Sequence, residues 1–293
     1  MTIIDFRNLE SEVINIVNIL LDKVKDINFS DYVLLLSRAG YLKDLETTSL
    51  SPYVTQSNLE LIQDNSRRQF LHVYLNQYTH CLEENILYDN EMHEYNINMQ
   101  LMLYSHVWES RCFLMSLRRI VSILSGNGYE WRISFQTKQG GSNKMIPINK
   151  GKFIREKVLG PLKTIDNILY EFLTSLYNST IRNGYSHSMY KIDMEKGCIE
   201  FLNSESYKIE DSICFSDWDD IFCRTVLFSY YLINKITERL NSFIVDYPEL
   251  KQIPIKWPSY QSTGKYLPNY IYPVEYEYDH KTYVEFQFTK PTK

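Results

Sequence analysis

The sequence predicts a mainly α protein: a helical bundle with additional N-terminal helices, small inserted β-hairpins and a β-rich C-terminal extension. Three observations predict it. Gly and Pro number only 10 and 9 in 293 residues, too few for a turn-rich β architecture. Apolar residues make up 44%, enough for a substantial core and too many for a disordered chain. Apolar positions recur at steps of 3 and 4 over most of the length, which is the period of an amphipathic helix.

Taken in order, Leu9, Val13, Ile16, Leu20, Val24 and Ile27 define the first helix. A short helix is expected after Ser30, with Val33, Leu36 and Leu42 inward. Ser57-Asn58-Leu59-Glu60 is a capping box that places a helix start there. That helix is expected to run toward Tyr88, with Leu59, Ile62, Phe70, Val73 and Leu82 in the core. The polar stretch Asp89 to Asn98 reads as a linker. From about Ile97 to Leu124 one helix is apolar on two faces: Leu101, Tyr104, Trp108, Cys112 and Met115 on one, Leu103, Val107, Leu114, Leu117, Val121 and Leu124 on the other. Such a helix is central in a bundle, and Gly126-Asn127-Gly128 ends it.

Trp131 to Thr137 and Met145 to Ile148, separated by Gly140-Gly141, predict a hairpin. Pro161 suits the first turn of a long helix with Leu162, Ile165, Leu169, Phe172, Leu176 and Tyr177 on one face. Tyr190 to Met194 and Cys198 to Leu202 predict a second hairpin around Glu195-Lys196-Gly197. Ser216-Asp217-Trp218-Asp219 caps a closing helix whose inward positions are Phe222, Val226, Ile233, Ile236 and Leu240. After Pro248 the prolines at 254, 258, 268 and 273 exclude long helices, and Tyr276 to Tyr278 with Tyr283 to Phe288 predict a hairpin turning at Asp279 to Thr282. Along the chain this divides into an N-terminal helical region 1–96, a helical domain 97–243 and a Pro/Tyr-rich extension 244–293.

The net charge of −5 excludes a globally basic nucleic-acid binder, so any RNA contact needs a local patch. Met1 to Arg7 carries no signal-peptide pattern, and no segment approaches the ~20 apolar residues of a membrane span. The five cysteines, Cys81, Cys112, Cys198, Cys214 and Cys223, are odd in number and contain no Cys-x-x-Cys pair. Neither a disulfide framework nor a zinc knuckle is expected, and a reducing cytoplasmic setting fits best.

The chemistry concentrates in Ile181-Arg182-Asn183-Gly184-Tyr185-Ser186-His187-Ser188, at the end of the helix expected from Pro161. Arginine binds phosphate oxygens with a planar, permanently charged fork, and histidine exchanges protons near neutrality. Cleavage of RNA by its own 2′-hydroxyl needs a base, an acid for the leaving 5′-oxygen and positive charge at the phosphate. No metal and no cofactor is required. Asn183 adds a neutral hydrogen-bond donor. On an ideal helix five positions give ~140° of rotation and ~7.5 Å of rise, so Arg182 and His187 share a tight face only if the helix distorts, and Gly184 is where distortion is expected. The bland reading is that both cations simply suit a helix C-terminus.

This segment resembles the Arg-x4–6-His motif of HEPN ribonuclease domains, in which an Asn often follows the Arg. The resemblance covers roughly Ile97 to Phe243. It implies an up-and-down helical bundle and a homodimer in which two motifs face each other across a two-fold axis. His187 would be general acid or base, Arg182 the phosphate clamp and Asn183 a supporting donor. The activity implied is metal-independent endoribonuclease action on single-stranded RNA or tRNA in anti-phage defence or a toxin system, with an antitoxin or sensor as possible partner. Two rivals stand beside it. One is a non-catalytic HEPN module that binds a nucleotide or a partner protein; the other is an unrelated helical scaffold in which the motif is accidental.

Glu109 resembles the acidic residue that some HEPN proteins place near the motif, where it would orient Arg182 or His187; a surface or capping carboxylate is the plainer alternative. His106 and Glu109 have metal-ligand spacing but no third ligand in view, so no metal site is expected. Tyr190 follows His187 by three positions, whereas the tyrosine modified in some HEPN toxins follows by two, which weakens that form of regulation here. Lys144, Lys150, Lys152, Arg155, Lys157 and Lys163, opposed only by Glu156, would hold RNA phosphates or form a solvated face. Arg67-Arg68 and Arg118-Arg119 are weaker versions of the same idea. Tyr270, Tyr272, Tyr276 and Tyr278 would stack bases or pack as one face of a hairpin.

Overall fold

Helices form where the step of 3 and 4 is sustained, and they stop where side chains take over the backbone hydrogen bonds. The computed structural model describes residues 1–45, 51–55, 62, 64–86, 90–138, 145–203, 205–206, 208–255, 257 and 268–290. In chain order the helices are α1 (Ile3–Ile27), α2 (Phe29–Leu36), α3 (Asn65–Glu83), α4 (Asn90–Glu109), α5 (Arg111–Leu124) and α6 (Lys150–Phe153). There follow a π-helical segment Ile154–Leu159, α7 (Gly160–Ile165), α8 (Asn167–Leu176), α9 (Ser179–Ser186), α10 (Phe215–Asn241) and α11 (Phe243–Asp246). The strands are β1 (Gly40–Tyr41), β2 (Tyr53–Val54), β3 (Gln136–Lys138), β4 (Met145–Pro147), β5 (Tyr190–Asp193), β6 (Cys198–Leu202), β7 (Ile209–Cys214), β8 (Ile253–Pro254), β9 (Tyr270–Tyr278) and β10 (Lys281–Gln287). They pair antiparallel in small sheets: β1-β2, β3-β4, β5-β6-β7 and β8-β9-β10. The protein is mainly helical, with a strand region at its C-terminal end.

The chain makes two compact units, each assembled from three separated stretches. The first comprises Met1–Val17, Gln63–Leu114 and Ile148–Leu232; the second comprises Asn18–Ile62, Met115–Pro147 and Ile233–Lys293. The first unit is built around Phe6, Leu9, Val13 and Val17 of α1, Leu71 and Leu75 of α3, Leu101, Tyr104 and Trp108 of α4, and Trp218, Phe222 and Val226 of α10, all buried. Trp218 donates its indole N–H to Gln100 Oε1 at 2.7 Å, which satisfies both buried polar groups. In the second unit Trp131 stacks on Trp257 at 4.5 Å and Tyr53 meets Trp131 edge-on at 5.5 Å. Tyr129 donates its hydroxyl to Ala39 O at 2.6 Å, and Phe243 packs against Phe286 at 5.0 Å.

Several expected elements are present. These include α1, α2, the turn after α5 with Gly126 and Gly128 at φ 74° and 77°, the β5-β6 hairpin, α10 with its five expected apolar positions buried, and the β9-β10 hairpin. The expected strand 131–137 shortens to β3, paired with β4; its turn at Gly140-Gly141 lies outside the described residues.

Others differ for identifiable reasons. The capping box at 57–60 lies outside the described residues, and α3 ends at Glu83 rather than near Tyr88. Its buried stripe is Leu71, Tyr74 and Leu75, while Ile62, Phe70 and Val73 are 68%, 37% and 50% exposed. The apolar residues of α3 supply two overlapping stripes, and packing chose the one rotated by one position. The supposed linker is helical from Asn90, as the start of α4. The helix expected over 97–124 is two helices that meet at Ser110, and Asp64 holds the start of the second. Its Oδ2 accepts from Ser110 Oγ at 2.9 Å and from the Cys112 N–H at 2.8 Å, and Ser110 Oγ in turn accepts from the Phe113 N–H at 3.2 Å. Ser110 is thus a local N-cap, and Asp64 adds a second acceptor from 46 to 48 residues away, which local sequence does not reveal.

The helix expected from Pro161 is also broken. Pro161 does sit in the first turn of α7. Asp166 is extended, at φ −147° and ψ 91°, and caps α8 by accepting from the Leu169 N–H at 3.1 Å. A third strand, β7, joins the β5-β6 hairpin; its residues are mostly exposed, so no apolar alternation announced it.

Candidate active site

Every residue of the expected site belongs to the first unit. The motif sits on its own short helix, α9, rather than at the end of a long one. Tyr104 makes the break. Its buried hydroxyl donates to Leu176 O at 2.8 Å and accepts from the Asn178 N–H at 2.8 Å. Burial, foremost, pushes that hydroxyl above the ordinary tyrosine range. Asn178 then caps α9, its Oδ1 accepting from the Thr180 and Ile181 N–H groups at 2.8 and 3.2 Å. Trp108 packs edge-on against Tyr177 at 4.9 Å and locks the same corner.

Arg182 points inward to the C-terminal end of α4. Its Nε and Nη2 donate to Glu109 Oε1 at 3.0 and 2.6 Å, and its side chain is only 13% exposed. Lys150 Nζ meets Glu109 Oε2 at 2.7 Å and also donates to the Glu109 backbone carbonyl. One carboxylate is thus shared by two cations, at a helix end where positive charge is favoured. Burial alone would raise the Glu109 carboxyl; the hydrogen bonds and charges of Lys150 and Arg182 outweigh it and hold that carboxyl below its usual value.

Gly151 explains how the cations come so close. A Cβ at that position would lie 2.8 Å from Tyr177 Oη, 3.0 Å from Asn149 Oδ1 and 3.2 Å from Arg182 Nη1. Only glycine permits that approach. The Tyr177 hydroxyl is buried without a hydrogen-bond partner, and it and Arg182 Nη1 both border Gly151. Gly151 and Asn149 were not singled out from sequence, and Tyr177 was named only for the apolar face of the helix expected from Pro161, not as part of a site. No local signal marks them, since they meet Arg182 only after folding.

His187 lies at the other end of α9, exposed, as its C-cap residue. The helix ends in a Schellman motif: the Met189 N–H donates to Gly184 O at 2.7 Å and the Ser188 N–H to Tyr185 O at 3.1 Å, with Ser188 left-handed at φ 56°. Gly184 does not distort the helix. It is buried because Phe201 of β6 packs on it, and a Cβ there would lie 2.5 Å from Phe201 Cδ1. With α9 regular, the ~140° separation of residues 182 and 187 stands, so the guanidinium is turned inward and the imidazole outward. Asn183 is exposed on the same helix.

The remaining candidates take varied places. Tyr190 starts β5 and donates to Asn98 Oδ1 at 2.6 Å, tying the hairpin to α4; burial, then the charges of Tyr185 and Glu94, raises its hydroxyl. Lys150 is committed to Glu109 rather than projecting toward solvent. Lys152, Arg155 and Lys157 are exposed along α6 and the π-helical segment, with Lys152 3.8 Å from Glu156; Lys144 lies outside the described residues. Burial, then the charge of Arg67, lowers the basicity of His106, against a raising effect of the Glu109 charge. Among the described residues no group of three or more His, Cys, Asp or Glu gathers as metal ligands.

Arg67 pairs with Asp64 at 3.1 Å and Arg118 with Glu130 at 2.6 Å, while Arg119 is buried over the Tyr129 ring. These pairs serve structure. Tyr276 stacks on Tyr283, its cross-strand partner, at 5.6 Å, and Tyr270, Tyr276 and Tyr278 are all exposed.

Among the described residues no helix is long and apolar enough to cross a membrane. No protein-family model, no curated protein and no solved structure matches the chain.

Proposed function

We propose that the protein is a HEPN-type, metal-independent endoribonuclease acting as a homodimer. The observation that carries this reading is an exposed imidazole, His187, fixed at the rigid end of a helix whose arginine, Arg182, is anchored by a carboxylate from α4. The Arg–Glu anchor fixes the direction of α9, and the Schellman turn fixes the outward direction of residue 187. One copy offers one motif imidazole, while acid and base are two tasks. A symmetric pair supplies both.

In the proposed step one His187 takes the proton of the 2′-hydroxyl and that oxygen attacks phosphorus. The 5′-oxygen leaves with a proton from the partner copy's imidazole, giving a 2′,3′-cyclic phosphate and a 5′-hydroxyl. Asn183, exposed one turn before His187, supplies a donor to the phosphate, Arg182 acts from within by holding α9 against Glu109, and Lys152, Arg155 and Lys157 extend the RNA path. Anti-phage defence or a toxin system, in the cytoplasm and with an antitoxin or sensor as partner, is the biology this reading implies.

The test is RNA incubated in excess EDTA with wild type, Arg182→Ala and His187→Ala. Wild type should yield cyclic-phosphate ends, His187→Ala should be slower by at least ~100-fold, the scale of one acid–base group, and Arg182→Ala should also be slower. Equal cleavage by all three proteins would end the proposal. A second reading, a non-catalytic HEPN module binding a nucleotide or a partner protein, is favoured by the commitment of Arg182 Nε and Nη2 to Glu109. A stable dimer that cleaves no RNA supports it.

A further inference from the structure

The register of β6 and β7 sets Cys198 directly opposite Cys214. The next pair outward exchanges a hydrogen bond, Phe215 N–H to Gly197 O at 2.9 Å. In an antiparallel ladder hydrogen-bonded and non-hydrogen-bonded pairs alternate, so 198 and 214 form a non-hydrogen-bonded pair, the closer kind, with Cα atoms ~4.5 Å apart. Their side chains project from the same face of the sheet. That spacing lies at the short end of the range a disulfide spans. We propose that Cys198 and Cys214 are a redox-modification site, a cross-strand dithiol that a low-molecular-weight disulfide converts into an intramolecular disulfide.

The rest of the molecule singles out this pair. Cys112 and Cys223 are fully buried, and burial pushes the Cys223 thiol up to about 12, so both are poor nucleophiles. Cys214 is exposed and Cys198 half-buried at the sheet's end. Ser216 Oγ lies 3.1 Å from Cys214 Sγ, close enough for its hydroxyl to donate to a thiolate.

Cys214 thiolate attacks one sulfur of the reagent disulfide, forms a mixed disulfide and releases one small thiolate. Cys198 thiolate then attacks the Cys214 sulfur, closes the Cys198–Cys214 bond and releases the second small thiolate. The two protein thiols are oxidised and the reagent is reduced to two thiols, which take up the two protons. Because Cys214 lies exposed on an edge strand, a small thiol reaches the bond and reduces it again. Closure staples the exposed edge strand β7 to β6, the strand whose Phe201 packs on Gly184 of α9.

The experiment treats the full chain with oxidised glutathione and maps non-reduced peptides by mass spectrometry. In wild type a peptide pair linked through Cys198 and Cys214 should appear, two of the five thiols should be lost, and reduced glutathione should reverse both changes. Cys198→Ser should instead accumulate a stable glutathione adduct on Cys214, and Cys81→Ser should keep the link. An adduct on Cys214 that persists in wild type, a link through Cys81 or between two chains, or retention of all five thiols would overturn the proposal. Folding of each variant is checked by its thermal transition.

Discussion

At the scale of single residues, Glu109 holds the most. Its carboxylate joins α4, α6 and α9 through Arg182 and Lys150, and with the side chain 32% exposed the pairing lies between a surface ion pair and a buried one. Glu109→Gln removes the counter-ion from two neighbouring cations and should cost roughly 1–2 kcal/mol at neutral pH. The folded-state pKa of Glu109 is held below the ordinary glutamate range by Lys150 and Arg182. The contribution is therefore complete above the unfolded value and is lost as pH falls through the lower folded value. Urea unfolding of wild type and Glu109→Gln at several pH values should show a gap that is constant at neutrality and closes below about pH 4. A gap that stayed constant down to the acid limit would mean that the carboxylate carries no net stabilising charge. Glu109 and Arg182 were both visible in the sequence because their chemistry is intrinsic. Lys150 was visible too, but only as a phosphate-binding cation, since its partner is 41 residues away.

At the scale of elements, helix ends decide where the motif lies. Four helices close with the same 6→1 and 5→2 backbone bonds, around left-handed Arg38, Asn85, Gly126 and Ser188. Only Gly126 announced itself, because glycine is the residue that adopts this conformation freely. At Ser188 the left-handed backbone costs roughly 1–2 kcal/mol for a residue with a Cβ, partly offset in a glycine variant by the greater freedom of its unfolded chain. Ser188→Gly should therefore raise stability by roughly 0.5–1 kcal/mol, read as a higher denaturant midpoint with an unchanged slope. A lower midpoint would show that the serine side chain, not the turn geometry, holds the end of α9. The break at 166 is a local cap, the Leu169 N–H donating to Asp166, whereas the breaks at 110 and 177–178 escaped the periodicity because their partners are distant. Asp64 and Tyr104 supply hydrogen bonds across 46 to 48 and 72 to 74 residues, and a pattern of apolar positions carries no trace of them.

At the scale of the molecule, neither compact unit is a continuous stretch of chain. The first unit takes Phe6, Leu9, Val13 and Val17 from its first segment and Leu71, Tyr74 and Leu75 from its second. A fragment of residues 97–243 lacks all seven. Each large apolar side chain of this kind contributes ~1.5–3 kcal/mol when fully buried, a sum greater than the net stability of most domains. The fragment should show no cooperative thermal transition and should bind a hydrophobic dye. A sharp unfolding transition from that fragment alone would show that α1 and α3 are accessory to the helices bearing the motif.

The sequence by itself determined the helical class, the inward positions Leu9, Val13, Leu20 and Val24 of α1 (though Ile27, expected inward, is 51% exposed), the inward face of α10, the hairpin at 190–202, the hairpin that turns at Asp279 to Thr282, and the candidates Arg182, Asn183, His187, Glu109 and Tyr190. These follow from period, turn residues and side-chain chemistry, which are properties of neighbouring positions. Tertiary structure alone decided that α9 stands as a separate helix, that Arg182 turns inward to Glu109 and Lys150 while His187 turns outward, that Gly151 and Tyr177 close on the guanidinium, and that Cys198 faces Cys214. Each of those depends on a hydrogen bond, an ion pair or a strand register between distant stretches of chain, and such partners are fixed only when the core packs.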